Sequence, residues 1–325
     1  MSDITILGSG VMGLTIATAL ADRGVKPRVI DPSGGPGPHG CSWWAGGMLA
    51  PHCESESAEP AVLRHGLDAA DWWATHGAEI TPRGTLVVAM GRDRAELDRF
   101  ARLTQGHRPL DAEAVAALEP QLASRIPRGL FYDSESHLSP RQALVALRDR
   151  LAGQGIQIEG DGQPSGITVD ARGLAARDAL PDLRGVRGEM LVIRCPEVAL
   201  TRTIRLLHPR IPLYLVPRGG GIYMIGATML ETGAKSHVTA RAAVEMLSAA
   251  YALHPGFAEA EILELGADAR PAFPDNLPRL RRRGGTLYAN GLYRHGYLLA
   301  PAVARMAADH LLDGQTPEFM DENHP

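Results

Sequence analysis

The sequence predicts an α/β fold in two interleaved parts: an open parallel sheet contributed by both ends of the chain, and a mostly antiparallel β-sheet domain inserted into it. Three observations carry this reading. Residues 4–30 read as strand, glycine-rich turn, helix and strand; the hydrophobic period drops towards two after Gly188; and the chain closes on a strand, a glycine-bearing turn and a helix. The expected division gives 1–76, 133–187 and 266–325 to the first part, and 77–132 and 188–265 to the second.

Ile4-Thr5-Ile6-Leu7 is short, apolar and rich in β-branched side chains, as a buried parallel strand requires. It runs into Gly8-Ser9-Gly10-Val11-Met12-Gly13, a G-x-G-x-x-G, and then an Ala/Leu-rich helical pattern over 11–23 that stops at Gly24. A second strand over 28–30 ends on Asp31. Gly8 permits the tight turn, Gly10 admits a pyrophosphate to the backbone, and Gly13 lets helix pack on strand. The helix N-terminus faces the phosphates, and Asp31 can accept hydrogen bonds from an adenosine ribose. The unit reads as a Rossmann-like dinucleotide site. Asp31 argues against a 2′-phosphate, since like charges would meet; NAD and FAD both fit the motif alone.

The chain has 325 residues, of which 45% are hydrophobic and 22% charged, with a net charge of −4. That suits a globular protein with a large core and gives no basic footprint for nucleic acid and no polybasic membrane patch. Cys41, Cys53 and Cys195 form no CxxC and cannot all pair. The beginning carries no basic leader, so a cytoplasmic location is expected. The histidines show no HxH or HExxH spacing, and no metal site is expected.

Beyond Asp31, residues 32–40 form a loop by composition, and 41–51 crowd small residues, Trp43, Trp44 and Met48 into a stretch with neither helix nor strand period. Such backbone can pass close to a flat ligand. Helices are expected over 61–76, 93–105 and 111–119, and strands over 85–90 and 130–132. Ser139 as N-cap and Pro140 at the first position open a helix to about Gly153. Residues 156–158 and 167–169 read as strands returning to the first sheet. Strands follow over 190–194, 201–207, 213–216 and 222–225, the last two a hairpin, then a helix over 239–253 and a strand over 262–265. Arg279-Leu280-Arg281-Arg282-Arg283 reads as a solvated loop before Gly284-Gly285. A strand over 286–289 and a helix over 300–312 close the chain.

Arg270 stands among apolar and proline-fixed neighbours, in Ala269-Arg270-Pro271. Its planar, permanently charged fork can hold a small carboxylate bidentately, or serve as a structural clamp. Tyr214 could add a hydrogen bond to the same carboxylate, and Met48 and Met229 could form an apolar wall; core filling is the alternative for each. The turn before the last helix carries Arg294 and His295, and a helix N-terminus there could stabilise negative charge on a bound ring. His295 alone is read as structural.

Taken in order, Gly8-Ser9-Gly10-Val11-Met12-Gly13, Ala45-Gly46-Gly47-Met48-Leu49-Ala50-Pro51, Tyr214-Leu215-Val216-Pro217-Arg218, Ile225-Gly226-Ala227-Thr228-Met229, Ala269-Arg270-Pro271 and Tyr293-Arg294-His295-Gly296-Tyr297-Leu298-Leu299-Ala300-Pro301 resemble the D-amino-acid oxidase family of FAD-dependent amine oxidoreductases over nearly the whole chain, closest to its glycine-oxidising branch. The resemblance implies noncovalent FAD, with Gly8, Gly10, Val11, Met12 and Gly13 at the pyrophosphate and Asp31 and Pro32 at the adenosine. Cys41, Ser42, Gly46, Gly47 and Met48 would run along the flavin, and Leu292, Tyr293, Arg294, His295, Gly296, Tyr297 and Leu298 would meet its pyrimidine edge. Arg270 and Tyr214 would hold the substrate carboxylate, Arg294 would touch substrate, and Met48 and Met229 would shape the pocket.

The implied reaction is oxidative deamination of glycine or another small amino acid to the imino acid. Electrons would pass through FAD to O2 to give H2O2, feeding thiazole and thiamine biosynthesis. The implied partners are a small amino-acid substrate and O2, with neither nucleic acid nor membrane; a homo-oligomer is compatible. The pattern departs from the family at three places: Asp31 stands where Glu is frequent, a short loop replaces a β-meander between 158 and 167, and His295 stands where Asn is frequent. Two other readings keep the fold: a dehydrogenase for a small D-amino or N-methyl amino acid using a non-oxygen acceptor, and a flavin domain of an RNA-modifying enzyme.

Overall fold

The computed structural model describes residues 3–208, 212–234 and 237–321. Its first sheet has the strand order Arg279–Arg283, Thr286–Asn290, Ile167–Asp170, Ile4–Leu7, Arg28–Ile30, Ile158–Glu159. All pairings are parallel except that of the first two strands, a hairpin. Ile6 lies between Val169 and Val29 in register, and all three are fully buried, as expected for strands covered on both faces. Each such side chain contributes about 1.5–3 kcal/mol relative to exposure.

The glycine turn leads into the helix Val11–Asp22, which packs on the helix Pro140–Gly153 and on the closing helix Gly296–Asp313. Gly8 has φ +97°, and a Cβ there would lie 2.8 Å from the Ala171 carbonyl oxygen. At Gly13 a Cβ would strike the Gly8 carbonyl. Both positions therefore need glycine for the close helix–strand contact.

The second sheet runs Leu230–Glu231, Arg184–Arg194, Ile222–Gly226, Leu213–Pro217, Thr203–Leu207, Thr85–Ala89, Arg128–Tyr132, Arg108–Asp111. The long strand Glu261–Ala272 pairs antiparallel with Arg184–Arg194 along nearly its whole length. The helix Ala240–Leu253, capped by Thr239 Oγ1 accepting from Ala242 N, covers one face. The opposite face looks towards the first sheet.

Several expectations need correction. The strand expected over 262–265 extends to Ala272, so Arg270 stands on a strand. The arginine run is not a solvated loop but the strand Arg279–Arg283. Alternation puts Leu280 in the core, while buried Arg281 forms a two-pronged pair with Asp182 at 2.8 and 3.0 Å and reaches Asp321 at 2.8 Å. The helix expected over 61–76 is two, Pro60–Gly66 and Ala69–Thr75. Residues 41–51 contain a 3-10 turn, Cys41–Trp44, and a two-residue strand, Met48–Leu49. Ser139 occupies the N-cap position, but its side chain makes no capping bond.

The closing helix starts at Gly296, earlier than expected, and contains Pro301. A proline donates nothing to the carbonyl four residues back. Here that carbonyl, of Tyr297, accepts instead from Trp73 Nε1 at 2.7 Å, so the helix continues without an orphaned acceptor.

Candidate functional site

The two sheets and the closing helix enclose a cavity of about 780 Å³. Every expected site residue except Gly13 lines it; Gly13 packs against the Gly8 backbone. At one end the glycine turn and the N-terminus of Val11–Asp22 face the cavity. A Cβ at Gly10 would meet only Ser42 Oγ, at 3.4 Å, so the backbone there is open to a close-fitting ligand. Ser42 Oγ accepts from Val11 N at 3.1 Å. Asp31 Oδ2 accepts from Ser9 N at 2.8 Å and Ser9 Oγ at 2.6 Å, while Oδ1 accepts from Ser33 N at 2.9 Å. Burial would raise its carboxyl, but these donors outweigh burial and hold it below the usual range. Asp31 thus fixes the glycine turn as well as bordering the cavity.

Along the middle runs the Cys41-to-Met48 segment, locked by a half-buried arginine that sequence reasoning gave no role. Arg218 Nη2 donates to the Gly46 carbonyl at 2.6 Å, and Nη1 to the Leu138 carbonyl at 2.9 Å. Burial pushes its guanidinium down to about 10. Gly47, at φ +72°, packs against Leu138 and Pro140. Tyr297 Oη donates to the carbonyls of Ser42, at 3.0 Å, and Pro140, at 3.2 Å, so this segment is also tied to the closing helix.

On the second sheet, residues sharing a face come together by register. Tyr214 stands opposite Gly226 and Arg205, Gly188 opposite Asp268, and Arg270 two residues on. Two glycines dent this face. A Cβ at Gly226 would lie 2.6 Å from Tyr214 Oη, and one at Gly188 would collide with the Arg270 guanidinium. The phenol and guanidinium therefore lie flat over neighbouring strands. Burial raises the Tyr214 hydroxyl pKa, and Arg270 partly opposes this. Arg270 Nη1 donates to the Thr228 carbonyl at 3.4 Å, and among the described residues no carboxylate forms an ion pair with it.

Arg294 is differently engaged. Its Nε lies 2.7 Å from Glu54 Oε2, and its Nη2 donates to Ser57 Oγ at 2.9 Å. Glu54 also takes Arg205 Nη1 at 3.0 Å and His295 Nε2 at 3.0 Å. Burial would raise the Glu54 carboxyl, but Arg294, His295 and Arg205 outweigh it and hold it well below the usual range. Burial pushes His295 down despite Glu54, favouring the neutral ring. His295 is thus a buried member of a charged cluster, with Nδ1 lacking a hydrogen-bond partner. Met229 is half exposed at the cavity edge, its sulfur 3.6 Å from Tyr293 Oη.

Glu54, Arg205 and Asp268 line the cavity and were not foreseen. No spacing links Glu54 to an arginine 151 residues away. Asp268 carried a signal: two residues before Arg270, it shares that face on any strand that reaches both.

A glycine cradle at a helix N-terminus, an acid closing the second strand and a long cleft suit a dinucleotide. The buried polar turn at its far end suits a flavin edge, so the residues present fit FAD. Among the described residues no group of three or more His, Cys, Asp or Glu could hold a metal ion, and no helix is long and apolar enough to cross a membrane.

A match to the family described as DAO, FAD dependent oxidoreductase, spans residues 3–310. A Rhizobium etli protein assigned as the thiamine biosynthesis oxidoreductase ThiO is 52% identical over 320 residues, covering 96% of this chain and 97% of its own. The glycine oxidase of Bacillus licheniformis is 27% identical over 95% of this chain and 93% of that one. The crystal structure of glycine oxidase from Geobacillus kaustophilus shares the fold, with a TM-score of 0.82 at 22% identity over 98% of this chain and 96% of that one.

Proposed function

The chain belongs to the DAO family of FAD-dependent oxidoreductases, and on that premise we propose that it oxidises glycine, or another small amino acid, to the imino acid used for thiazole assembly in thiamine biosynthesis. The observation that carries the reading is Arg270: a guanidinium on the cavity face, beside Tyr214, without a carboxylate partner among the described residues. Such a fork binds a carboxylate bidentately.

In this reading Arg270 and the Tyr214 hydroxyl hold the substrate carboxylate, and Met48 and Met229 limit the side chain. When bound, FAD supplies the two-electron acceptor for the Cα hydride. Gly8, Gly10, Val11 and Met12 hold its pyrophosphate, with Asp31 and Pro32 at the adenosine. Cys41, Ser42, Gly46 and Gly47 lie along it, and residues 292–298 form its pyrimidine edge, where Arg294 and the helix N-terminus favour negative charge. Arg294, fixed by Glu54, contributes there and not as a substrate anchor. The proposed division of labour follows the chain: 1–76, 133–187 and 266–325 hold the cofactor, while 77–132 and 188–265 shape the substrate side. The strands Arg184–Arg194 and Glu261–Ala272 run through both.

Molecular oxygen is the proposed terminal acceptor, with H2O2 as product. The test is an oxygen electrode with a peroxidase-coupled assay on the flavin-loaded protein. Glycine should drive O2 uptake matched by H2O2. Dye reduction without H2O2 would replace oxygen by another acceptor, and no turnover with glycine, sarcosine or D-alanine would remove the assignment.

A further inference from the structure

A charged wall rejects one ligand as firmly as a fitting pocket admits another, and such a wall stands beside Tyr214. Arg205 lies directly opposite Tyr214 in the strand pairing, so the two side chains leave the same face of the sheet with Cβ positions about 4.5–5.5 Å apart. Both line the cavity, and so do Glu54 and Arg294. Glu54 closes the short helix Pro51–Glu54 and divides its oxygens between the two arginines. Oε1 takes Arg205 Nη1 at 3.0 Å, while Oε2 takes Arg294 Nε at 2.7 Å and His295 Nε2 at 3.0 Å. The same carboxylate acts on the phenol. Burial does most to raise the Tyr214 hydroxyl, Arg270 and Arg218 draw it down, and Glu54 pushes it up further.

The charges in this group do not cancel. Arg205 and Arg294 bring two positive charges and Glu54 one negative, while burial favours the neutral ring of His295. Side-chain exposures of 15% for Arg205, 21% for Arg294 and 10% for Glu54 leave little water to screen them. With Glu54 in place, a second carboxylate entering beside Tyr214 meets a fixed anion and finds both guanidinium forks engaged. Without it, the same wall would offer two forks suited to a carboxylate. Resting on the amino-acid oxidation proposed above, we propose that Glu54 determines specificity: it confines the site to amino acids with a single carboxylate and rejects those carrying a second one on the nitrogen or the side chain. Arg270 anchors the shared carboxylate in either case, so the effect of Glu54 falls on the second one alone.

The experiment uses the flavin-loaded protein and two matched pairs that differ by one carboxylate: sarcosine with N-carboxymethylglycine, and D-alanine with D-aspartate. Each compound is followed by steady-state oxidation and by anaerobic bleaching, and one that is not oxidised is measured as a competitive inhibitor of glycine oxidation. Wild type should favour the monocarboxylate of each pair by at least ~10-fold. In Glu54→Gln, which keeps an acceptor oxygen and loses the charge, that preference should fall by at least ~10-fold, and Glu54→Asp should retain it. Wild type that takes both members of each pair equally would overturn the proposal. So would a Glu54→Gln variant in which all four compounds shift together, the mark of a merely structural role. If Glu54→Gln yields no flavin-bearing protein, Arg205→Gln serves. With less positive charge set against Glu54, the preference for one carboxylate should deepen by at least ~10-fold, and an unaltered preference defeats the proposal. Wild-type flavin that responds to no amine would instead fail the oxidation reading itself, and this proposal with it.

Discussion

At Gly188 and Gly226 it is the absence of a side chain that lets Arg270 and Tyr214 lie along the sheet, and the argument can be inverted. An alanine at 188 keeps the strand conformation but pushes the guanidinium away. Gly188→Ala should therefore lower kcat/KM for glycine by about 10–100-fold, the worth of a charge-assisted hydrogen bond, with little change in unfolding temperature. Steady-state kinetics beside a thermal melt checks this, and an unaltered kcat/KM would place the anchor elsewhere. Glu135 gives a pH test. It is 1% exposed, its Oε1 accepts from Cys53 N at 2.8 Å, and burial pushes its carboxyl up to about 7. A folded value above the unfolded one means a contribution that is complete below about pH 4.5 and lost as pH rises through about 7. Glu135→Gln keeps an acceptor oxygen and removes that loss. Relative to wild type the variant should gain about 1–3 kcal/mol between about pH 5 and about pH 8, read by urea unfolding. A difference independent of pH would contradict the cause given.

The closing helix shows how elements are fitted to one another. Pro301 frees the Tyr297 carbonyl, and Trp73, 224 residues earlier, supplies the replacement donor. Trp73→Phe should leave a buried acceptor unsatisfied and cost about 1–3 kcal/mol in chemical denaturation, whereas Trp72→Phe, on a half-buried neighbour, should cost less. Local signals made some elements plain: the glycine turn with its flanking strands, the proline-started helix Pro140–Gly153, and the hairpin around Gly219 to Gly221 all announce their own ends. The arginine strand did not, because Asp182 and Asp321, which neutralise buried Arg281, lie far off in the chain. The strand carrying Arg270 runs through Gly266 and Pro271, residues that ordinarily break strands, because the long pairing with Arg184–Arg194 overrides them.

Across the whole molecule, the interleaving of the two sheets followed from the order of periods along the chain, and the cofactor end of the cavity from one compact motif. At the other end of the cavity, the lining was legible only at Arg270, Tyr214 and the methionines, whose substrate contacts remain the proposal. Its charge balance rests on Glu54, where Arg205, Arg294 and His295 converge from separate segments. Spacing along one chain carries no trace of such a meeting point. The remaining question concerns the assembled protein and not any one part: whether a small amino acid, pinned by Arg270, delivers its electrons to FAD. Anaerobic addition of glycine to the flavin-loaded protein, with the visible flavin absorption recorded, puts it most directly. The account predicts bleaching in wild type, and in Arg270→Ala only at roughly 100-fold higher glycine. Flavin that stays oxidised in wild type, or bleaches equally readily without Arg270, would contradict it.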